Sequence, residues 1–273
     1  MPCQLLITLT LMLLILIIFE SVAVPFTKNV EEWPKKIPDK QTGARVALWT
    51  KQMNVNPEEL GSYTEGDIMV PRITKRNGVT DKLLRWPDGI IPYVITGDFN
   101  DDQLQLISAA MDNYFNFTCI QFVPRTNEED YINISSDETG CWSYVGRQGG
   151  RQEVNLQTPG CLYETGTVIH ELMHTVGFWH EHTREDRDEY VDINWDNIKE
   201  EAWKNFAKAD PGVLYNYDVP YDYGSVMHYT AYAFAKDNNE KTLITKDPNA
   251  SIGQREAFSE SDILKINKMY NCV

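Results

Sequence analysis

The run Val168-Ile-His-Glu-Leu-Met-His-Thr-Val-Gly-Phe-Trp-His-Glu-His182 holds four of the five histidines of the chain. His170 and His174 stand four residues apart. On a helix their imidazoles lie one turn apart on one face, the separation at which two nitrogens can share a metal ion. Glu171 is offset by about 100° around such a helix, so its carboxylate can reach a water at the metal without ligating the metal itself. Two histidines do not complete a tetrahedral site. Gly177 marks where the helix can stop, because glycine takes a left-handed conformation without a Cβ penalty. The chain can then turn back and deliver His180. Three protein nitrogens with one position left for water is the arrangement of a catalytic zinc site, and one Zn2+ per catalytic domain is expected. A bare His-Glu-x-x-His arises by chance in unrelated helices; Gly177 and His180 at the right spacing make this one specific. Val168, Ile169, Leu172, Met173 and Val176 mark the helix as buried, and buried histidines need polar partners, which a metal supplies.

The other histidines weigh less. His182 reads as structural, part of a polar set with Glu181, Arg184, Asp186, Arg187 and Asp188. His228 is the rival ligand, but His170, His174 and His180 already complete the pattern. It lies in Ser225-Val-Met-His-Tyr229. A methionine beside aromatics is ordinarily core, but next to a zinc helix this segment matches the Met-turn of metzincins. Met227 would then pack beneath the histidines.

The elements that position these residues begin at Arg85. Ile90-Ile-Pro-Tyr-Val-Ile95 reads as a strand bounded by Asp88-Gly89 and Gly97-Asp98. Asn100 caps a helix with Leu104, Ile107, Met111 and Tyr114 on one face. Strands are expected over 119–124 and 130–135, and a helix over 168–176. An irregular stretch covers 210–224. Ser259, with Asp262 three residues on, caps a final helix.

Residues 24–76 are rich in Lys, Glu, Pro and Asn, show no periodic element, and are unsuited to forming a core of their own. They end in Pro71-Arg-Ile-Thr-Lys-Arg76, a dibasic processing site. Before them, Leu5 to Phe19 is an uncharged apolar run of about 15 residues, short of the roughly 20 that span a membrane. Ser21-Val-Ala23 then suits cleavage after Ala23. The organisation expected is a signal peptide at 1–23, a propeptide at 24–76 and a catalytic domain at 77–273, in a secreted, extracellular protein.

The cysteines agree with export. Cys3 leaves with the signal peptide, and Cys119, Cys141, Cys161 and Cys272 remain, enough for two disulfides. Three pairings are open, and spacing does not choose between them. Asn116 and Asn249 are candidate glycosylation sites; Asn133 sits in an alternating strand and is set aside. A net charge of −15 argues against nucleic acid and against an anionic membrane surface as partner.

The run His170-Glu-Leu-Met-His-Thr-Val-Gly-Phe-Trp-His-Glu-His-Thr-Arg-Glu-Asp-Arg-Asp188 resembles the signature of the astacin family of metzincins. Ser225–Tyr229 is similar to its Met-turn, Arg85-Trp-Pro-Asp-Gly-Ile-Ile-Pro-Tyr93 to the start of its catalytic domain, Ser143-Tyr-Val-Gly-Arg147 to its edge-strand region, and Ile252-Gly-Gln-Arg255 to a later segment. The likeness covers nearly all of 77–273. It implies an α+β metzincin fold, in which a twisted, antiparallel-edged sheet and long helices form two halves flanking a cleft. It implies a zinc endopeptidase in which Glu171 is the general base. Tyr229 would be a weak fifth ligand that swings away to steady the oxyanion. The disulfides would be Cys119–Cys272 and Cys141–Cys161.

The same resemblance implies a mature chain starting near Asn77, with its amino group buried close to Glu181. Thr64-Glu-Gly-Asp67 is similar to the propeptide motif in which an aspartate, here Asp67, ligates the zinc and blocks it. Thr64 departs from that motif, standing where an aromatic is usual, with Tyr63 one residue off. The implied partners are a protein or peptide substrate lying extended near Trp142-Ser-Tyr144, with Arg255 by the pocket after the scissile bond, and an activating protease. The enzyme is expected to be a monomer. A binding protein that merely kept the scaffold would be expected to lose a ligand, Glu171 or Tyr229, and a structural zinc site would need a fourth protein ligand.

Overall fold

The computed structural model describes residues 37–70, 82–209 and 216–272. The expected signal peptide, the Lys75-Arg76 pair and the expected amino terminus near Asn77 lie outside them. Within 24–76, where no element is expected from the sequence, helix α1 spans Lys40–Ala47. Asp39 caps it by accepting from Thr42 N at 2.7 Å. Its buried side, Thr42, Gly43 and Val46, lies against the later part of the chain, and Gln157 Nε2 donates to Gly43 O at 2.9 Å. Eight residues carry too weak a period to be read from sequence; docking supplies what propensity does not.

The sheet consists of β1 (Ile90–Ile95), β2 (Gln121–Pro124), β3 (Tyr131–Ser135), β4 (Cys141–Ser143) and β5 (Arg151–Leu156), in the order β2-β1-β3-β5-β4. The pairs β1–β2, β1–β3 and β3–β5 are parallel. The antiparallel character is confined to the β4 edge. Helices α2 (Asp101–Phe117) and α3 (Thr165–Val176) pack together against this sheet. A full capping box of Asn100 and Gln103 starts α2. Its Tyr114 hydroxyl donates to Ile169 O at 2.7 Å, fixing α3. Every residue of α3 from Gly166 to Val176 is buried, as its apolar composition requires.

Past α3 the chain builds a smaller cluster around Val191, Ile198, Phe206, Tyr221, Tyr229 and Leu243, beside a two-stranded antiparallel ribbon, β6 (Val191–Ile193) with β7 (Leu243–Thr245). Helix α4 (Glu260–Tyr270) begins with the Ser259/Asp262 capping box and returns Ile266 and Met269 to the main core. The structure joins Cys119 to Cys272 and Cys141 to Cys161. Among the described residues no helix is long and apolar enough to cross a membrane.

Candidate zinc centre

Helix α3 places His170 and His174 one turn apart, and Gly177 ends it at φ 131°, a conformation that favours glycine. The chain reverses, and His180 arrives with its ring centroid 5.2 Å from that of His170 and 4.8 Å from that of His174. A fourth group comes from the segment before the catalytic half. Asp67 Oδ2 lies 3.0 Å from His170 Nε2 and 3.2 Å from His180 Nε2, and Asp67 Oδ1 lies 3.5 Å from His174 Nε2. One ligating atom from each of the four falls within 4.8 Å of the others, and all four residues are buried.

This donor set fits a metal ion. His170 Nδ1 donates to Val226 O (2.8 Å) and His174 Nδ1 to Phe178 O (2.7 Å). Those bonds fix the tautomers and leave a lone pair on each Nε2. The two Nε2 atoms are only 3.2 Å apart. Asp67 Oδ1 and both oxygens of Glu171 are buried with no hydrogen-bond partner among the described residues. Facing lone pairs and an unpartnered carboxylate hold together around a positive charge, and a zinc ion with a nitrogen and oxygen shell supplies it. The titration behaviour shows the same demand. Burial opposes a charge on His180, yet the Asp67 and Glu65 carboxylates outweigh it and push the ring up to about 9. Burial also opposes ionisation of Asp67, but the neighbouring histidines, His180 first, hold its carboxyl well below the usual range. Glu171 is driven the other way, well above its ordinary value, by burial and then by Asp67.

The turn that brings Asp67 in is made by Glu65 at φ 49° and Gly66 at φ 88°. It touches more of the site than the metal ligands. Glu65 accepts from His180 Nδ1 at 2.8 Å through its side chain and from the Tyr229 hydroxyl at 2.5 Å through its carbonyl. Two residues on, the chain pairs with the sheet edge: Ser143 N donates to Asp67 O (3.0 Å) and Met69 N to Ser143 O (2.8 Å). Farther back, Arg255 Nε donates to Glu58 Oε1 at 2.5 Å, both side chains fully or almost fully buried. Glu59 accepts from the backbone N and hydroxyl of Thr230, each at 2.6 Å.

Of the other residues singled out from sequence, Met227 is buried and its carbonyl accepts from Glu181 N at 2.9 Å. His228 faces Tyr221 OH at 2.7 Å, and His182 bonds Asn205 O at 2.9 Å and lies 3.8 Å from the Tyr229 ring. Glu181 is already partnered in the folded chain by Arg184 (3.1 Å), Asp222 N (3.0 Å) and Lys265 (2.5 Å). Asn116 and Asn249 are exposed, and Asn133 is buried. Sequence reading missed Glu58, Glu59 and Lys265, gave Glu65 no role within its motif, and read Asp262 only as a helix cap. For Glu58, Glu59 and Glu65, the acids clustered just before Asp67 were the available signal. For Asp262 and Lys265 it was a pair of charges three apart on the apolar face of a helix.

A buried three-histidine centre on a helix packed against a mixed sheet is what the metzincin class of zinc peptidase fold carries. Within that class the chain belongs to the astacin family: the family model described as Astacin (Peptidase family M12A) matches residues 78–271. It is 49% identical over 201 residues to zinc metalloproteinase nas-8 of Steinernema carpocapsae, covering 72% of this chain and 47% of that protein. It is 42% identical over 226 residues to the low choriolytic enzyme of Oryzias latipes, covering 80% and 81%. The solved structure of high choriolytic enzyme 1, a hatching enzyme zinc-protease of the same fish, superposes with a TM-score of 0.65 at 44% identity, over 69% of this chain and 94% of that one. The chain thus spans about half the length of the nas-8 relative.

Proposed function

We propose that the chain is a secreted zinc endopeptidase made as a latent precursor, with a signal peptide at 1–23, a propeptide at 24–76 and a catalytic domain at 77–273. The observation that carries this reading is the convergence of Asp67 on His170, His174 and His180 beside the unpartnered carboxylate of Glu171. The three histidines would hold the metal in the working enzyme, with Asp67 in the fourth place until processing removes it. Bound zinc supplies Lewis acidity, polarising a carbonyl and lowering the pKa of water from about 15.7 toward 7.

The rest is done by the chain. Glu171, whose buried carboxylate takes up a proton readily, is the general base for the attacking water and then the acid for the leaving amine. The Tyr229 hydroxyl, once released from Glu65 O, donates to the developing oxyanion. A substrate would lie along β4 and use the backbone groups of Ser143 that now hold Asp67 and Met69. Arg255, paired in the precursor with Glu58, would favour an acidic side chain after the scissile bond. Processing at Lys75-Arg76 by an activating protease would free an amino terminus near Asn77, with Glu181 as its partner. Exposed Asn116 and Asn249 are the glycosylation sites of this reading, and the enzyme acts as a monomer. Two relatives carry choriolytic names, one of them described as a hatching enzyme, which supports an extracellular protein as substrate.

The test is to express residues 24–273, treat them with trypsin, and follow casein cleavage with and without 1,10-phenanthroline. Activity that appears on processing and vanishes with the chelator is expected. A processed, zinc-loaded protein that cleaves neither casein nor a broad peptide library would point instead to a binding protein.

A further inference from the structure

Helix α4 carries two buried charged side chains three residues apart, and each leads to a different histidine. Asp262 is fully buried. Its Oδ1 accepts from Ser225 Oγ at 2.6 Å, and its Oδ2 from Val226 N at 2.8 Å and Ser259 N at 3.1 Å. Val226 in turn offers its carbonyl to His170 Nδ1 at 2.8 Å. One turn along the helix, Lys265 is 4% exposed and donates to Glu181 Oε2 at 2.5 Å. Glu181 directly follows His180, and its backbone N donates to Met227 O at 2.9 Å. From one helix face, then, a carboxylate fixes the turn that orients the first histidine, and an ammonium fixes the residue that follows the third.

We propose that α4 is the outer brace of the zinc centre, with Asp262 and Lys265 as positioning residues and Lys265, beside Arg184, as a resident counter-ion of Glu181. Helix packing alone does not require these residue types. Capping uses one bond of Asp262, from Ser259 N, and leaves its bonds from Ser225 and Val226 unexplained; burying a carboxylate and an ammonium is costly unless each is paired. What the charges add is direction. Groups behind a metal ligand fix its orientation, and their loss typically weakens metal binding about 10–100-fold. The brace also has a consequence for activation. Glu181 is neutralised inside the chain before any new amino terminus reaches it, so the metal site is complete in the unprocessed protein and does not wait for an exact end. The proposal rests on the zinc reading of the site.

The test uses the full chain loaded with zinc and follows zinc release to excess 4-(2-pyridylazo)resorcinol. K265M and D262N are expected to release zinc about 10–100-fold faster than the wild type. K265R keeps the charge and is expected to release it at about the wild-type rate. K268M is the control: Lys268 sits on the same helix and donates to Tyr217 O at 2.8 Å, a backbone carbonyl that bonds neither a histidine of the site nor Val226 nor Glu181. It is expected to leave zinc release unchanged even if its melting temperature falls. Folded K265M and D262N with wild-type release rates would overturn the brace while leaving the zinc site intact. So would a K268M that speeds release as much as they do. A wild-type chain that binds zinc no better than H174A would overturn both the brace and the site.

Discussion

The metal site is assembled from two regions held by different means. Helix α3 carries His170 and His174 inside a close-packed apolar core, where every neighbour from Gly166 to Val176 is buried. Residues 58–69 reach the same point as a strap. Tyr63, Ile68 and Met69 anchor it, but its contacts with the site are made by acids: Glu58 on Arg255, Glu59 on Thr230, Glu65 on His180, and Asp67 on the three histidines. A core cannot be removed without unfolding the protein, whereas a strap of charge-assisted hydrogen bonds can be withdrawn and leave its partners in place. On the proposed reading, the contrast separates what performs the chemistry from what withholds it.

The largest expected effect falls on the core side. E171Q is expected to retain zinc and lose about 10²–10⁴-fold in kcat after processing, the range for a general base. Near-normal turnover by the zinc-loaded variant would place the base elsewhere and would blur the division of labour between the two regions. A smaller effect is expected on the strap side. D67N removes the charge that faces three histidines, so the unprocessed chain should gain activity on casein about tenfold while the processed enzyme is unchanged. Full latency in D67N would mean that the edge pairing at Ser143 suffices to close the site.

The smallest effect concerns pH. Burial, with the neighbouring charge of Glu58, pushes the Glu59 carboxyl up from 4.5 to about 7, against smaller opposing effects from Arg255 and Thr230. Between those values the docked strap holds a proton that the free strap has given up. The Glu59 contribution to docking is therefore fully present below about pH 4.5 and is lost as pH rises to 7, by at most about tenfold per pH unit. A peptide of residues 24–76 titrated onto the processed enzyme should show this slope, and its E59Q counterpart should lack that part of it. Equal slopes for the two peptides would remove Glu59 from the account.

The two regions also differ in how far they could be read from sequence. His170, His174 and His180 lie within a single turn-and-return, and local geometry alone brings their rings together. The caps at Asn100 and Ser259 are equally local, with partners three residues away. The mainly parallel order of the sheet was not legible, because each crossover depends on non-local pairing. Helix α1 was too short to carry a period. Glu65 meets a histidine 115 residues later and Lys265 a glutamate 84 residues earlier, contacts that no spacing rule reaches. Asp67 is intermediate: its motif could be matched, but its distance from the histidines could not.

The bond between Cys119 and Cys272 ties the end of α4 to the chain just before β2. Helix ends fray first, and this helix holds the two side chains of the proposed brace. A chain still in a reducing compartment would lack that tie and keep its metal loosely; oxidation would draw the helix down. On the proposed brace, the crosslink would tie the grip on the metal to the redox state of the surroundings.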